Sequence, residues 1–464
     1  MNAQSRGLLT AVGLGVLLNP LNSSMVSVAI TRLQEDYRLD YTVVSWIIFS
    51  FYISSAIAQP VMGRASDIFG RRRIFLAGLI VAFAASVLAP LSPSFGWLIA
   101  YRILQSIGTS MMVAVGMAIV RIHVTEKQAT ALSVMSIFLS GAAAVGPFVG
   151  GVLVQQWDWH AIFYVNIPFA AASFVMAWRS IPQDEWERSS AGAGGGMTLR
   201  KWVVKIDLPG ILLFAAGLIS LLLGLLSAKS AGHLSAGNIA LVLIGLLLLS
   251  AFVWLELRAP SPFIPLRTFA RYPSMTWVNL EFMLANLLFY SLFFGLPSYL
   301  QTVRHVNEFD TGMLMLSLGL CSLIASPIAG RWVDRAGPRP AKLLSAMLMT
   351  FGSLWLATLN AHSPVASFCL ALTAFGFSNG LNGVAMQADM FNSAPKDMVG
   401  IASGLFSTSR YFGTILSSLL IGVVMGDRFS TAGMRTVGLI LAAVAVSLVF
   451  MSRRRREAGV SQTL

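Results

Sequence analysis

The chain of 464 residues is 56% hydrophobic and only 11% charged, with a mean hydropathy of +0.74 and a formal charge of +13. Apolar runs recur from end to end, which excludes a soluble globular core and predicts an all-α polytopic membrane protein. The basic excess gathers between those runs, so nucleic-acid binding is not needed to explain it.

About 20 apolar residues cross the hydrocarbon of a bilayer, and fourteen runs qualify. Six occupy residues 7–30, 42–62, 74–92, 96–119, 130–154 and 161–180. Two follow at 207–228 and 236–256, and six more at 273–301, 309–331, 341–360, 364–388, 399–425 and 434–452. The expected domains are an N-terminal six-helix bundle (1–180), a cytoplasmic linker (181–206), two inserted helices (207–256), a C-terminal six-helix bundle (257–452) and a basic tail (453–464). The first run is long, lacks a small-x-small cleavage pattern and reads as an uncleaved helix. An even span count puts both termini on one side. With span-edge residues assigned to their flanking loops, loops and termini on that side hold 24 Lys and Arg, the opposite loops 6 and span interiors 2, which predicts cytoplasmic termini. Residues 192–196 read as a glycine-rich linker, and Leu199, Trp202, Val203 and Ile206 beside Arg200, Lys201 and Lys205 read either as an interfacial helix or as an ordinary basic loop.

Within the fifth run, Gly146-Pro147-Phe148-Val149-Gly150-Gly151 places helix breakers where a helix is required. Lipid cannot satisfy the backbone groups that proline frees, so neighbouring helices or cavity water must cover the site. An internal echo links the two six-span groups: Gly63, Asp67, Gly70 and Arg71 recur as Gly330, Asp334, Gly337 and, one place later, Arg339. Each set follows its group's second span. Glycines there permit a tight loop, the aspartate can accept from helix N-terminal amides, and the arginines suit an anionic leaflet. A duplicated bundle predicts a transporter with a solute site near the midplane. Cys321 and Cys369 fall in apolar spans and suggest neither disulfide nor metal site. The five histidines are scattered and no phosphate-cradling Gly-Lys loop occurs, so the sequence predicts no enzyme, no ATP-driven pump, no metal and no cofactor.

Across essentially its whole length the chain resembles the major facilitator superfamily. The string Gly63-Arg64-Ala65-Ser66-Asp67-Ile68-Phe69-Gly70-Arg71-Arg72-Arg73 is similar to that superfamily's signature between its second and third helices. Gly146 to Gly151 is similar to the fifth-helix motif of its proton-driven exporters, with Ala142 where a leading glycine is common. Trp159-His160-Ala161-Ile162-Phe163, followed by Asn166 and Pro168, resembles the start of the sixth helix in the fourteen-span drug:proton antiporter subfamily. Two positions depart from that pattern. Leu21-Asn22-Ser23-Ser24 stands where an aspartate is usual, and Arg102-Ile103-Leu104-Gln105-Ser106-Ile107-Gly108 carries Ser106 in place of a glycine.

Helix rise puts Asn22 roughly 12 Å and Arg102 roughly 9 Å from the outer ends of their helices, close enough for the two to meet. An intramembrane arginine faces the bundle interior or water. The resemblance implies a proton-relay role for Arg102, and an arginine that only cross-links helices is the competing reading. Glu281 lies inside an apolar helix and is the foremost proton-site candidate, since one buried carboxylate can exchange a proton for a cationic solute. A structural pairing with a basic group is its alternative. Arg410 is a candidate partner for Glu281. Asp389, Glu256 and Asp207 lie near span ends and read as solvated or helix-end groups. Trp46, Tyr52, Trp277 and Tyr290 offer aromatic faces to hydrophobic cations, against ordinary packing. Asn379 and Asn382 are polar cavity candidates, against interhelical hydrogen bonding.

These readings predict a monomeric proton-coupled exporter of amphiphilic cationic drugs or biocides in a bacterial inner membrane, with small solutes, protons and the bilayer as its only partners. A dedicated metabolite or siderophore exporter, an importer or uniporter, and a non-transporting sensor are the alternatives.

Overall fold

The computed structural model describes residues 3–124, 128–182, 207–230, 235–259, 262, 264, 266–393, 399–426 and 429–454. The linker 192–196 and residues 199–206 lie outside that set. Regular structure among the described residues is helical throughout: α1 (Ala3–Val16), α2 (Leu18–Tyr37), α3 (Tyr41–Val44), α4 (Trp46–Phe69), α5 (Arg71–Leu88), α6 (Phe95–His123), α7 (Gln128–Trp157), α8 (Ala161–Tyr164) and α9 (Asn166–Ser180). Next come α10 (Leu208–Ser230), α11 (Ala236–Glu256), α12 (Leu266–Arg271), α13 (Pro273–Arg304), α14 (Glu308–Ala336), α15 (Pro338–Thr358), α16 (Val365–Ser393), α17 (Val399–Met425) and α18 (Thr431–Arg454). Among the described residues thirteen helical stretches are long and apolar enough to cross a membrane. The remaining expected span, 130–154, falls within α7, outside those thirteen.

The chain divides into two compact units, one of Met1–Leu39, Val43–Gly146 and Leu153–Leu266, the other of Asp40–Thr42, Pro147–Val152 and Arg267–Leu464. In the first unit α6 packs on α4 and α5, and α1 on α9. The inserted helices α10 and α11 form a hairpin of this unit whose backbones nearly touch, because a methyl on Gly245 would lie 2.9 Å from the Gly217 carbonyl oxygen. Only 17% of the apolar window of α11 is buried, against 72% for α13, so the hairpin is peripheral and α13 is central to its own unit. In the second unit α13 packs on α17, α14 on α16, and α15 on both α16 and α18.

The echoed motifs form helix and turn rather than a loop. α4 continues through Phe69 and α14 through Ala336, so the reversal is a single residue in each, Gly70 (φ 93°) and Gly337 (φ 76°). A side chain is strained at such backbone angles, which explains glycine there. Gly63 and Gly330 lie inside helices with open space where a methyl would go. α15 starts after Gly337 without a side-chain cap, and the preceding helix runs through Asp334 and leaves it exposed, so the expected aspartate cap is not formed in that motif. Asp67 is likewise helical.

The Trp-His segment has a structural task in the first unit. Asp158 adopts a left-handed φ of 66°, and its carboxylate accepts from the Trp159 backbone N–H at 2.7 Å and from Arg32 Nε at 3.1 Å. Trp159, 1% exposed, donates its indole N–H to Asp36 at 2.9 Å and packs against Tyr37, with His160 stacked on its ring. These contacts tie the end of α2 to the turn before α8.

Candidate functional site

The polar interior of the first unit is built on α6. Arg102, 1% exposed, donates to Gln105 Oε1 at 2.7 Å, and Gln105 donates in turn to Ser86 Oγ at 3.0 Å. The guanidinium also lies 4.4 Å from the Phe51 ring centre and 5.8 Å from that of Phe163. Among the described residues no carboxylate pairs with it. Ser106, the departure from the motif, donates to the Phe51 carbonyl at 2.7 Å and shares a hydrogen bond with Ser55, so its hydroxyl fastens α6 to α4.

Asn22 does not meet Arg102. Its amide donates to the Leu18 carbonyl at 2.8 Å, and its oxygen accepts from Asn166 of α9 at 2.7 Å. Asn22 is buried, and helix rise carried no information on its facing. Tyr52 is buried with its ring against Phe51, and Trp46 is partly exposed beside Phe49.

Breaking residues in α7 serve close packing. A methyl on Gly146 would overlap the Ser24 hydroxyl of α2, so this position accepts no side chain without displacement. Within the second unit, Pro147 to Val152 crosses the start of α14: a methyl on Gly312 would lie 2.8 Å from the Pro147 carbonyl oxygen, and one on Gly151 would overlap the Glu308 carbonyl. Pro147 and Gly150 are buried in this stretch.

Glu281 of α13 is 1% exposed and forms an ion pair with Lys342 of α15. Lys342 also donates to Asp389 Oδ2 of α16 at 2.7 Å. The sequence had suggested Arg410 as the partner of Glu281; Arg410 instead lies over the Tyr411 ring at 5.0 Å and donates to its hydroxyl at 3.2 Å. Asp389, expected to be solvated, is tied to the buried ammonium. Asp207 and Glu256 do hold helix ends, accepting from the backbone N–H of Gly210 and of Ile264, yet both are buried rather than solvated.

Asn382 is buried beside Lys342, whereas Asn379 donates to Ser322 Oγ at 3.0 Å as an interhelical tie. Tyr290 packs in a ring cluster with Phe289, Phe293 and Phe294. Trp277 is 51% exposed near the start of α13. Arg71 begins α5 at the Gly70 turn.

Sequence and structure comparisons agree with this architecture. The chain is 41% identical over 446 residues to the uncharacterized MFS-type transporter YwoD of Bacillus subtilis, covering 96% of each. It is 28% identical to a multidrug resistance protein B homolog of Mycobacterium tuberculosis, over 98% of this chain and 82% of that one. It is 27% identical to the tetracenomycin C resistance and export protein of Streptomyces glaucescens, over 90% and 76%. The crystal structure of a point mutant of the nucleoside transporter NupG superposes with a TM-score of 0.65 over 96% of this chain and 98% of that one; at 11% identity it speaks to the fold alone. With residues 12–418 matching the profile of the Major Facilitator Superfamily, the chain belongs to that family of membrane transporters, which are not enzymes.

Proposed function

We propose that this transporter is a proton-driven exporter of amphiphilic cations such as drugs or biocides, of the fourteen-span antiporter type, working as a monomer in a bacterial inner membrane with both termini cytoplasmic. The observation that carries the reading is Glu281, an acid 1% exposed on the central helix of the second unit and held by an ion pair to Lys342. Ionisable groups kept inside membrane helices are costly and typically serve ion or substrate pathways. A carboxylate that takes a proton when its cation leaves exchanges one for the other without a second energy source. The named functions of the resistance and export relatives support the outward direction and the drug class. Asp67, Gly70 and Arg71, with Asp334 and Gly337, are assigned to the conformational cycle, and Gly146 to Gly151 to helix packing within it.

Proteoliposomes under an imposed pH gradient test this reading with ethidium as the probe. Native protein is expected to move ethidium against its gradient with proton counter-movement, and Glu281→Gln to lose at least about tenfold of that rate. Unchanged pH-driven transport in the variant removes Glu281 from the mechanism.

One observation favours a second reading, a dedicated exporter of an acidic metabolite: Arg102 is a buried cation with no carboxylate partner among the described residues, in the unit where Asn22 replaces the usual acid. An anionic solute would supply the missing charge. Stimulation of proton movement by small carboxylates, with none by ethidium, would select it.

A further inference from the structure

Three ionisable side chains from three helices meet in the second unit, and their arrangement says more than Glu281 alone. Lys342 binds Glu281 on one side and Asp389 on the other, so a single ammonium serves two carboxylates. Lys342 and Glu281 are 3% and 1% exposed, while Asp389 keeps 16%. The gap beside the ammonium is lined by Ala285, Ser345, Asn382, Met386 and Ser452, none ionisable, and is too narrow for a water molecule. At 3% exposure Lys342 is shielded from solvent, and the two carboxylates are its charged partners among the described residues. Among the described residues, the other charged groups of the packed helices have contacts or exposure of their own. Arg410 lies over Tyr411 and Arg304 over Phe368. Arg331, Asp334, Arg335, Arg435 and Arg453 are exposed, and Glu308 and Asp310 stand at the far end of α14.

We propose that Glu281, Lys342 and Asp389 form one exchange unit in which Lys342 is a tethered cation that moves between the two acids. The inference rests on the proton-driven export reading and specifies its coupling. When Asp389 carries a proton, taken from water as an O–H bond on a carboxylate oxygen, the ammonium is held by Glu281 alone. A cationic solute that binds Glu281 displaces the ammonium, and the displaced ammonium needs an ionised Asp389 to receive it. Asp389 then returns its proton to water, so solute arrival and proton departure are one event. Charge is conserved at each stage, because one cation enters as one proton leaves. A buried lysine left without a carboxylate is the forbidden state that enforces the order.

The test compares two modes in proteoliposomes containing the full chain, with ethidium as the probe: accumulation driven by an imposed pH gradient, and ethidium–ethidium exchange without a gradient. In Lys342→Met and Asp389→Asn, gradient-driven accumulation is expected to fall about tenfold further than exchange does, a coupling loss typical of linked sites. Lys342→Arg, which keeps the charge, is expected to preserve the ratio of the two modes. If Lys342→Met fails to fold, Asp389→Asn carries the comparison, since it alters one polar atom of a partly exposed group. Equal losses in both modes, or no loss in either, overturn the exchange unit and leave Lys342 as a structural tie. Native protein that moves ethidium in neither mode instead defeats the export reading itself, and the exchange unit falls with it; native transport with uncoupled variants separates the two.

Discussion

Among the described residues each unit buries one cation, and the two are kept in opposite ways. Arg102 rests on an amide oxygen and two aromatic faces, while Lys342 is held by two carboxylates. The chemistry of the two heads accounts for the difference. A guanidinium is planar, delocalised and weakly hydrated, so hydrogen bonds and ring faces compensate much of its lost water. An ammonium is a compact, strongly hydrated charge that needs an opposite charge when buried. The first unit therefore holds a fixed polar strut, and the second holds a charge whose partners can compete.

The largest test of this contrast is neutralisation of each cation, followed by chemical unfolding in detergent. Lys342→Met strands two carboxylates and is expected to cost about 3–5 kcal/mol. Arg102→Met leaves only an unpaired amide oxygen and a small void, and is expected to cost about 1–3 kcal/mol. Equal costs would break the contrast. The echoed turn should behave alike in both units, which isolates the cations as the true difference: Gly70→Ala and Gly337→Ala are each expected to cost about 1–3 kcal/mol because of their backbone angles, whereas Gly63→Ala and Gly330→Ala, in open space, should stay within about 0.5 kcal/mol. Trp159→Phe, which removes a hydrogen bond to Asp36 within the first unit alone, is expected to cost about 1–2 kcal/mol.

The smallest effect is one of pH, and it too belongs to the first unit. Burial pushes the Asp158 carboxyl up, but the hydrogen bonds from Arg32 and from the Trp159 N–H outweigh it and hold the group below its ordinary value of 3.8. A depressed folded value contributes stability that is present above about pH 4 and lost as pH falls through the folded value. Thermal unfolding followed from pH 6 to pH 3 should show a shallow acid limb that Asp158→Asn removes. An unchanged limb in the variant would assign it to other carboxylates.

The spans were legible because membrane helices must be apolar over a fixed length, and α11 begins and ends where the hydropathy pattern puts it. The exchange unit was not, and the reason lies at the span edges. Lys342 stands one residue inside the expected span 341–360 and was counted with the basic residues that flank membranes, while Asp389 stands one residue beyond the expected span 364–388. The helices extend farther in both cases, from Pro338 and to Ser393, which carries these side chains into the packed bundle. Hydropathy finds where a helix leaves the hydrocarbon, and says nothing of where it leaves its neighbours. Asn22 failed differently: helix rise fixes depth, but the partner depends on rotation about the axis, and Asn166 won that position.

The tie between α2 and the Trp159 turn also bears on how the chain is made. Asp36 and Trp159 are 123 residues apart, as are Arg32 and Asp158 at 126. At synthesis rates of about 5–20 residues per second, the end of α2 waits roughly 6–25 s before its partners leave the ribosome. For that interval the first hairpin stands in the membrane with Arg32, Glu35 and Asp36 answered only by water and by one another. The polar end of α2 is thus a placeholder that keeps the first helix at the water boundary until the sixth arrives to lock it, which makes completion of the first unit, rather than insertion of its first helix, the step at which that helix's position becomes final.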